Sequence, residues 1–173
     1  MMNGIKRKYV ILLAIAPLFI FIDQWTEYLI DKNFKLNTVF KVFDGFFNIT
    51  YIRNTGAIFG FLSDANPSLK VPLFIFVSII AVIIIFFLFL NIEDRKIVLP
   101  LSFSLILAGA VGNLIDRIKF GYVIDFLDFF WKDYHWPAFN IADTVITIGI
   151  FLMIIDSLFL ERDNNASNSF SNR

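Results

Sequence analysis

The sequence has no cysteine, a single histidine and few charged residues. Without cysteine it can form no disulfide, thiol nucleophile or thiolate metal site. The lone His135 cannot supply a multi-histidine zinc site, and the HExxH pattern is absent. Charged residues make up 17%, and fifteen basic residues balance fifteen acidic ones. Because the longest basic run is Lys6-Arg7-Lys8, the composition argues against nucleic-acid binding.

Apolar residues, by contrast, are abundant: 58% of the 173 residues are hydrophobic. A soluble domain of this length cannot bury so much apolar surface in one core, so the excess is expected to face lipid. Four runs approach the roughly 20 residues that a membrane helix needs. The sequence predicts an all-α membrane protein with spans at about residues 9–30, 71–90, 97–115 and 141–160.

These spans predict a single membrane domain over residues 1–162, followed by an Asn/Ser-rich tail, 163–173, that is expected to be disordered. The first span could instead be a cleaved signal peptide, because a basic run precedes an apolar stretch. Against cleavage, the only suitable small-residue site, Ala14-Ile15-Ala16, lies inside the apolar stretch and is followed by Pro17.

Basic residues beside the spans predict the orientation. Lys6, Arg7 and Lys8 precede the first span, and Arg95 and Lys96 lie in the short second connection. Both termini are therefore expected to be cytoplasmic. On the outer side, residues 39–43 and 46–52 flank Asp44-Gly45 and predict a β-hairpin. The aromatic segment 122–131 is expected either to lie along the membrane surface or to extend this small sheet.

Acidic residues from three spans reach nearly the same depth. Asp23 lies about 22 Å along the helix axis from Lys8, and Asp116 lies about 30 Å from Lys96. Asp143 begins the fourth span near the same outer boundary. Intramembrane acids cost about 2.5–3.5 kcal/mol at the helix centre on insertion scales, and they mark functional sites. The convergence therefore predicts a site at the outer face.

Each acid also has a structural interpretation. Asp116 beside Arg117 could simply end a helix, Asp23 could be a lone interfacial charge, and Asp143 could favour a helix N-terminus capped by Asn140. Nearby Gly109 and Gly112 would allow close helix approach and could serve packing alone.

Two adjacent aspartates can carry out amide hydrolysis, because one keeps a proton while the other acts as a base. Neither a GxSG-like serine in a span nor a GxGD motif is present. A proton or ion pathway, which needs acids strung across the bilayer, remains an alternative, as does a small structural assembly subunit.

Five strings in order resemble the lipoprotein signal peptidase (signal peptidase II) family. They are Asp23-Gln24 with Thr26, YIRNTGAIFGF from Tyr51, GNLIDR from Gly112, VIDFLDF from Val123 and PAFNIADT from Pro137. The resemblance implies that Asp125 and Asp143 form a catalytic pair without metal or cofactor. It implies substrate-binding or orienting roles for Asp23, Asn54, Gly56, Asn113, Asp116, Arg117 and Asn140.

The resemblance further implies a monomeric endopeptidase of the bacterial inner membrane. Its expected substrate is a prolipoprotein whose Cys carries diacylglycerol, cut just before that Cys at the outer face. Lipid and substrate would be its only partners. Two departures stand out: Glu27 occupies the usual place of a Lys, reversing a charge near the expected site entrance, and Ile58 replaces a small residue.

Overall fold

The computed structural model describes residues 6–56, 66–93 and 97–171. Within them, four helices are long and apolar enough to cross a membrane, as the hydrophobic runs predicted. They are α1 Arg7–Asn33, α2 Pro67–Leu90, α3 Val98–Phe120 and α4 Ile141–Ser171. The predictions that involve Ile58, Arg95 and Lys96 concern positions outside the described residues.

Two helices begin or end beyond the predicted spans for local reasons. The side-chain oxygen of Asn66 accepts from the Ser68 N–H at 3.0 Å, and Pro67 occupies the first turn, so α2 begins before its apolar run. Helix α3 passes Asp116 and ends at Gly121, whose φ of 77° permits the left-handed cap. A charge at the boundary thus ends the apolar run but not the helix.

Helix α4 continues to Ser171, so the predicted disordered tail differs from the structure over residues 163–171. Neither proline nor glycine lies between Gly149 and the C-terminal Arg173. Extending an existing helix costs far less than starting one, so Asn and Ser alone do not end it.

A four-stranded antiparallel sheet joins the helices, in the order β1-β2-β3-β4. Its strands are β1 Val39–Phe43, β2 Phe47–Asn54, β3 Val123–Trp131 and β4 Tyr134–His135. Strands β1 and β2 form the predicted hairpin around Asp44-Gly45, and Gly45 has a φ of 79°. Of the two alternatives for residues 122–131, the structure has the sheet: this segment pairs with β2 as β3.

The strands lie in the α1–α2 and α3–α4 connections, which emerge from the same end of the bundle. Helix α3 is central, since 50% of its apolar window is buried, against 6% for α2. At the opposite end, Lys8 Nζ donates to the carbonyls of Leu90 and Ile92 at 2.6 and 2.8 Å. This ammonium group satisfies helix-end carbonyls that lipid could not.

Candidate active site

Asp125 lies on β3 with its carboxyl group buried. Asn54, at the end of β2, donates from Nδ2 to Asp125 Oδ2 at 2.9 Å. Asn54 Oδ1 in turn accepts from the Gly56 N–H at 2.8 Å, which fixes the direction of the amide. Gly56 has a φ of 87°, and a Cβ there would meet the Phe74 ring at 2.8 Å, so only glycine fits. Among the residues that the structure describes, the other oxygen, Asp125 Oδ1, is buried without a hydrogen-bond partner.

Asp143 lies in the first turn of α4. Its backbone N–H donates to Asn140 Oδ1 at 2.9 Å, so Asn140 caps the helix as the spacing predicted. Its Oδ1 accepts from Asn113 Nδ2 on α3 at 2.8 Å. Both aspartates therefore have one oxygen held by the amide of an asparagine.

Main-chain hydrogen bonds bring Asp125 and Asp143 together. The carbonyl of Phe139, just before α4, accepts from the N–H groups of Phe126 and Leu127 at 3.1 and 2.8 Å. Strand β3 is thereby joined to the segment that leads into α4. The two carboxyl groups lie close enough for their charges to interact.

Burial raises the pKa of Asp125 from 3.8 to about 7, and repulsion from Asp143 adds to this rise. The hydrogen bond from Asn54 and the charge of Arg117 oppose it. Asp125 therefore keeps a proton up to near-neutral pH.

Asp116 supports this arrangement from α3. Its Oδ2 accepts from the backbone N–H of Ile124 at 3.1 Å, which holds the start of β3. Its Oδ1 accepts from Gln24 Nε2 at 2.8 Å. Arg117, one residue later, donates to the Asn113 carbonyl at 3.3 Å. Its charge interacts with those of Asp125 and Asp143. Although Asp116 lies near the predicted depth of Asp143, its carboxyl group holds the strand that carries Asp125.

Asp23 joins α1 to the start of α4. Its Oδ1 accepts from the Ala142 N–H at 2.7 Å, at the positive end of the helix. The helices approach this closely because of glycines: a Cβ on Gly112 would lie under 3.0 Å from Asp23 Oδ2. A Cβ on Gly109 would overlap the Ala142 carbonyl oxygen in the same way. Both glycines therefore serve the close packing that the sequence predicted.

An apolar groove of about 450 Å³ adjoins Asp143. It is lined by Trp136, Phe139, Asp143, Thr144, Thr147 and Ile148. The groove runs along the exposed side of α4 and is open at the surface. Asp143 is the acidic side chain in this lining.

The structure corrects the expectation for Glu27, which does not lie at a site entrance. Its side chain is 1% exposed and is held by Gln24 and Asn140, because it belongs to the buried face of α1 with Asp23 and Ile30. Residues 23, 27 and 30 follow helical spacing, and this signal could have indicated burial.

Gln24 is the contact that the sequence reasoning missed. Its Nε2 donates to both Glu27 Oε2 at 2.7 Å and Asp116 Oδ1 at 2.8 Å, while its Oε1 accepts from Lys119 Nζ. No sequence pattern places Gln24 between two acids of different helices. Over the described ranges, no three histidine or acidic side chains are grouped so that they could hold a metal ion.

Comparison with known proteins identifies the family. The family model described as signal peptidase (SPase) II matches residues 15–159. A lipoprotein signal peptidase from Syntrophus aciditrophicus is 46% identical over 92% of this chain and 99% of its own. One from Geobacter sulfurreducens is 45% identical over 91% and 97%.

Solved structures agree with the sequence matches. A bacterial membrane enzyme superimposes with a TM-score of 0.76 at 37% identity, covering 88% of this chain and 90% of that one. A second has a TM-score of 0.74 at 38% identity, covering 85% and 92%. These findings do not favour an ion pathway or an assembly subunit. The chain is a multi-pass membrane protein and belongs to the signal peptidase II family of aspartic peptidases.

Proposed function

We propose that this enzyme removes the signal peptide from diacylglyceryl-modified prolipoproteins, with Asp125 and Asp143 as the catalytic pair. The observation that carries the proposal is the pKa of Asp125 together with the hydrogen bonding of the two carboxyl groups. Asp125 has a raised pKa and, within the described part of the chain, an oxygen without a hydrogen-bond partner. The Oδ1 of the neighbouring Asp143 accepts a hydrogen bond. One proton shared between two aspartates is what water-mediated amide hydrolysis requires.

The steps follow from these roles. Asp143 takes a proton from a water molecule, whose oxygen attacks the scissile carbonyl carbon, while Asp125 donates its proton to the carbonyl oxygen. The resulting tetrahedral diol collapses and breaks the C–N bond. Asp143 gives its proton to the leaving amine, which becomes the new N-terminus at the lipidated Cys. A hydroxyl of the diol returns a proton to Asp125, and the pair is restored.

The groove along α4 supports this choice of substrate. Its apolar lining suits a signal helix that lies in the hydrocarbon, and the presence of Asp143 in this lining supports delivery of the cleavage site to the pair. The acyl chains could stay in the bilayer while the cleavage site reaches the carboxyl groups. Membrane lipid and the precursor are the partners that this arrangement needs.

We place the enzyme in the bacterial inner membrane, with both termini cytoplasmic and the active site at the outer face. Lys6, Arg7 and Lys8 precede α1, which the positive-inside rule assigns to the cytoplasm. The sheet and both aspartates lie at the opposite end of the bundle. We also propose one peptidase domain over residues 1–162 that acts as a monomer, because both aspartates and their asparagine partners belong to one chain.

Incubation of the purified protein with a diacylglyceryl-modified precursor tests this function. Mass analysis should find a single cut just before the lipidated Cys. The control is the same precursor with Ser at that position, which cannot carry the lipid and should stay intact. Proton or cation flux in liposomes with no peptide cleavage would instead support an ion pathway.

Cleavage should fall as pH rises through about 7, because Asp125 then loses the proton that it must donate. The pKa of the Asp125 carboxyl group rises from 3.8 in the unfolded chain to about 7 in the folded protein, so the folded protein holds this proton more tightly. The contribution of Asp125 to the free energy of unfolding is therefore fully present below pH 3.8 and is lost as pH rises through about 7. Measuring kcat/KM from about pH 5 to about pH 9 checks the decline. A rate that stayed level above pH 7 would contradict this role.

A further inference from the structure

Glu27 is a buried acid for which the proposed reaction has no use. It lies on α1 at 1% exposure, one turn after Asp23. Its Oε1 accepts from Asn140 Nδ2 at 3.0 Å, and its Oε2 accepts from Gln24 Nε2 at 2.7 Å. A buried carboxyl group is costly unless its oxygens are bonded, and both of these are.

A chain of hydrogen bonds joins Glu27 to Asp143, and the orientation of each side-chain amide in it is determined by its partners. Asn140 Oδ1 accepts from the Asp143 N–H, so Asn140 Nδ2 must face the other way. That Nδ2 donates to both Glu27 Oε1 and Asn113 Oδ1. With its oxygen so engaged, Asn113 must turn its own Nδ2 toward Asp143 Oδ1.

Glu27 and Asp116, which lie on different helices, share one hydrogen-bond donor. Gln24 Nε2 donates to both groups, and Lys119 Nζ holds the Gln24 oxygen at 2.7 Å on the outer side. Gln24 thereby holds Glu27 and Asp116 beside each other, while Glu27 Oε1 accepts from Asn140.

We propose that Glu27 is a positioning residue: it orients Asn140 and, through Asn140 and Asn113, the Oδ1 of Asp143. Glu27 fixes the oxygen of Asp143 that cannot hold the catalytic proton. The other oxygen of Asp143 is then left for the attacking water. This inference rests on the proposed catalytic pair.

Two substitutions of Glu27 separate this role from a need for negative charge. Glu27→Gln keeps an oxygen for Asn140, and Gln24 Nε2, which loses its acceptor on residue 27, can still donate to Asp116 Oδ1, so kcat should stay within about threefold of wild type. Glu27→Leu leaves Asn140 without its acceptor, so kcat should fall about tenfold or more. KM should change little, because Glu27 is not among the residues that line the groove. The control is Tyr28→Phe, beside Glu27 on α1, where the ring is half exposed.

A double-mutant cycle tests whether the effect passes through Asn113. In the Asn113→Ala background, Glu27→Leu should cost little further kcat, because the link is already broken. Additive losses, a wild-type kcat for Glu27→Leu, or an equal loss in Glu27→Gln would each overturn the proposal. Wild-type protein that leaves the lipidated precursor intact would instead reject the proposed function, so the two failures are distinguishable.

Discussion

Replacing Asp125 or Asp143 by asparagine should reduce cleavage of the lipidated precursor by about a hundredfold to ten-thousandfold, the usual contribution of general acid–base catalysis. An amide in place of Asp125 cannot donate a carboxyl proton, and an amide in place of Asp143 cannot take a proton from water. Each amide still fills the space of the carboxyl group, so the variants should remain folded in the membrane. Product mass analysis on purified variants measures the loss.

Asp133→Asn is the matched control, since Asp133 lies in the exposed turn between β3 and β4. It makes the same change from carboxyl to amide and should keep wild-type activity. Asp116→Asn should lower activity less than either catalytic variant, because Asp116 holds Ile124 rather than the substrate. Full activity of Asp125→Asn or Asp143→Asn would reject the pair.

Gly109→Ala should damage both stability and activity. The new Cβ would overlap the Ala142 carbonyl oxygen, and a backbone atom cannot rotate away. Such overpacking costs about 1–3 kcal/mol. It also moves the first turn of α4, and a shift of about 1 Å in a catalytic group can cost about a hundredfold in rate. Thermal unfolding in detergent and kcat measure the two effects.

Gly45→Ala is the control for Gly109→Ala, because it adds the same methyl group where there is space for it. Gly45 has a φ of 79°, but a methyl group there would meet no atom within 4 Å. The change therefore costs only backbone strain of about 1–2 kcal/mol. Its activity should stay near wild type, since the hairpin turn is remote from Asp143. Equal kcat for wild type and Gly109→Ala would show that α3 and α4 do not need this close contact.

The helices could be predicted because lipid imposes a simple rule on composition. Each span needs a mostly apolar run of about 20 residues, and the runs gave all four helices to within a few residues at most ends. The exact ends depend on caps such as Asn66 and Gly121, which a run length does not record. The end of α4 was missed because composition is a poor guide to whether an established helix continues.

The site could be predicted only in part, because its two aspartates depend on different kinds of information. Helix rise placed Asp143 at the correct end of the bundle. Asp125 reaches that place because β3 pairs with β2, where Asp125 lies opposite Ile52, and because Leu127 of the same strand is bridged to Phe139. Such pairing cannot be read from spacing, so only the resemblance indicated Asp125. The burial of Glu27, by contrast, could have been predicted from its helical spacing with Asp23 and Ile30.

The bonds from Phe126 and Leu127 to Phe139 also bear on how the enzyme meets bilayers of different thickness. A membrane thicker or thinner than a span changes the tilt of the helix within it. Here main-chain hydrogen bonds join the start of α4 to strand β3, so a change in tilt would rotate α4 about this fixed end. The distance between the two aspartates should therefore change little with acyl-chain length, and cleavage should vary little between short-chain and long-chain lipids.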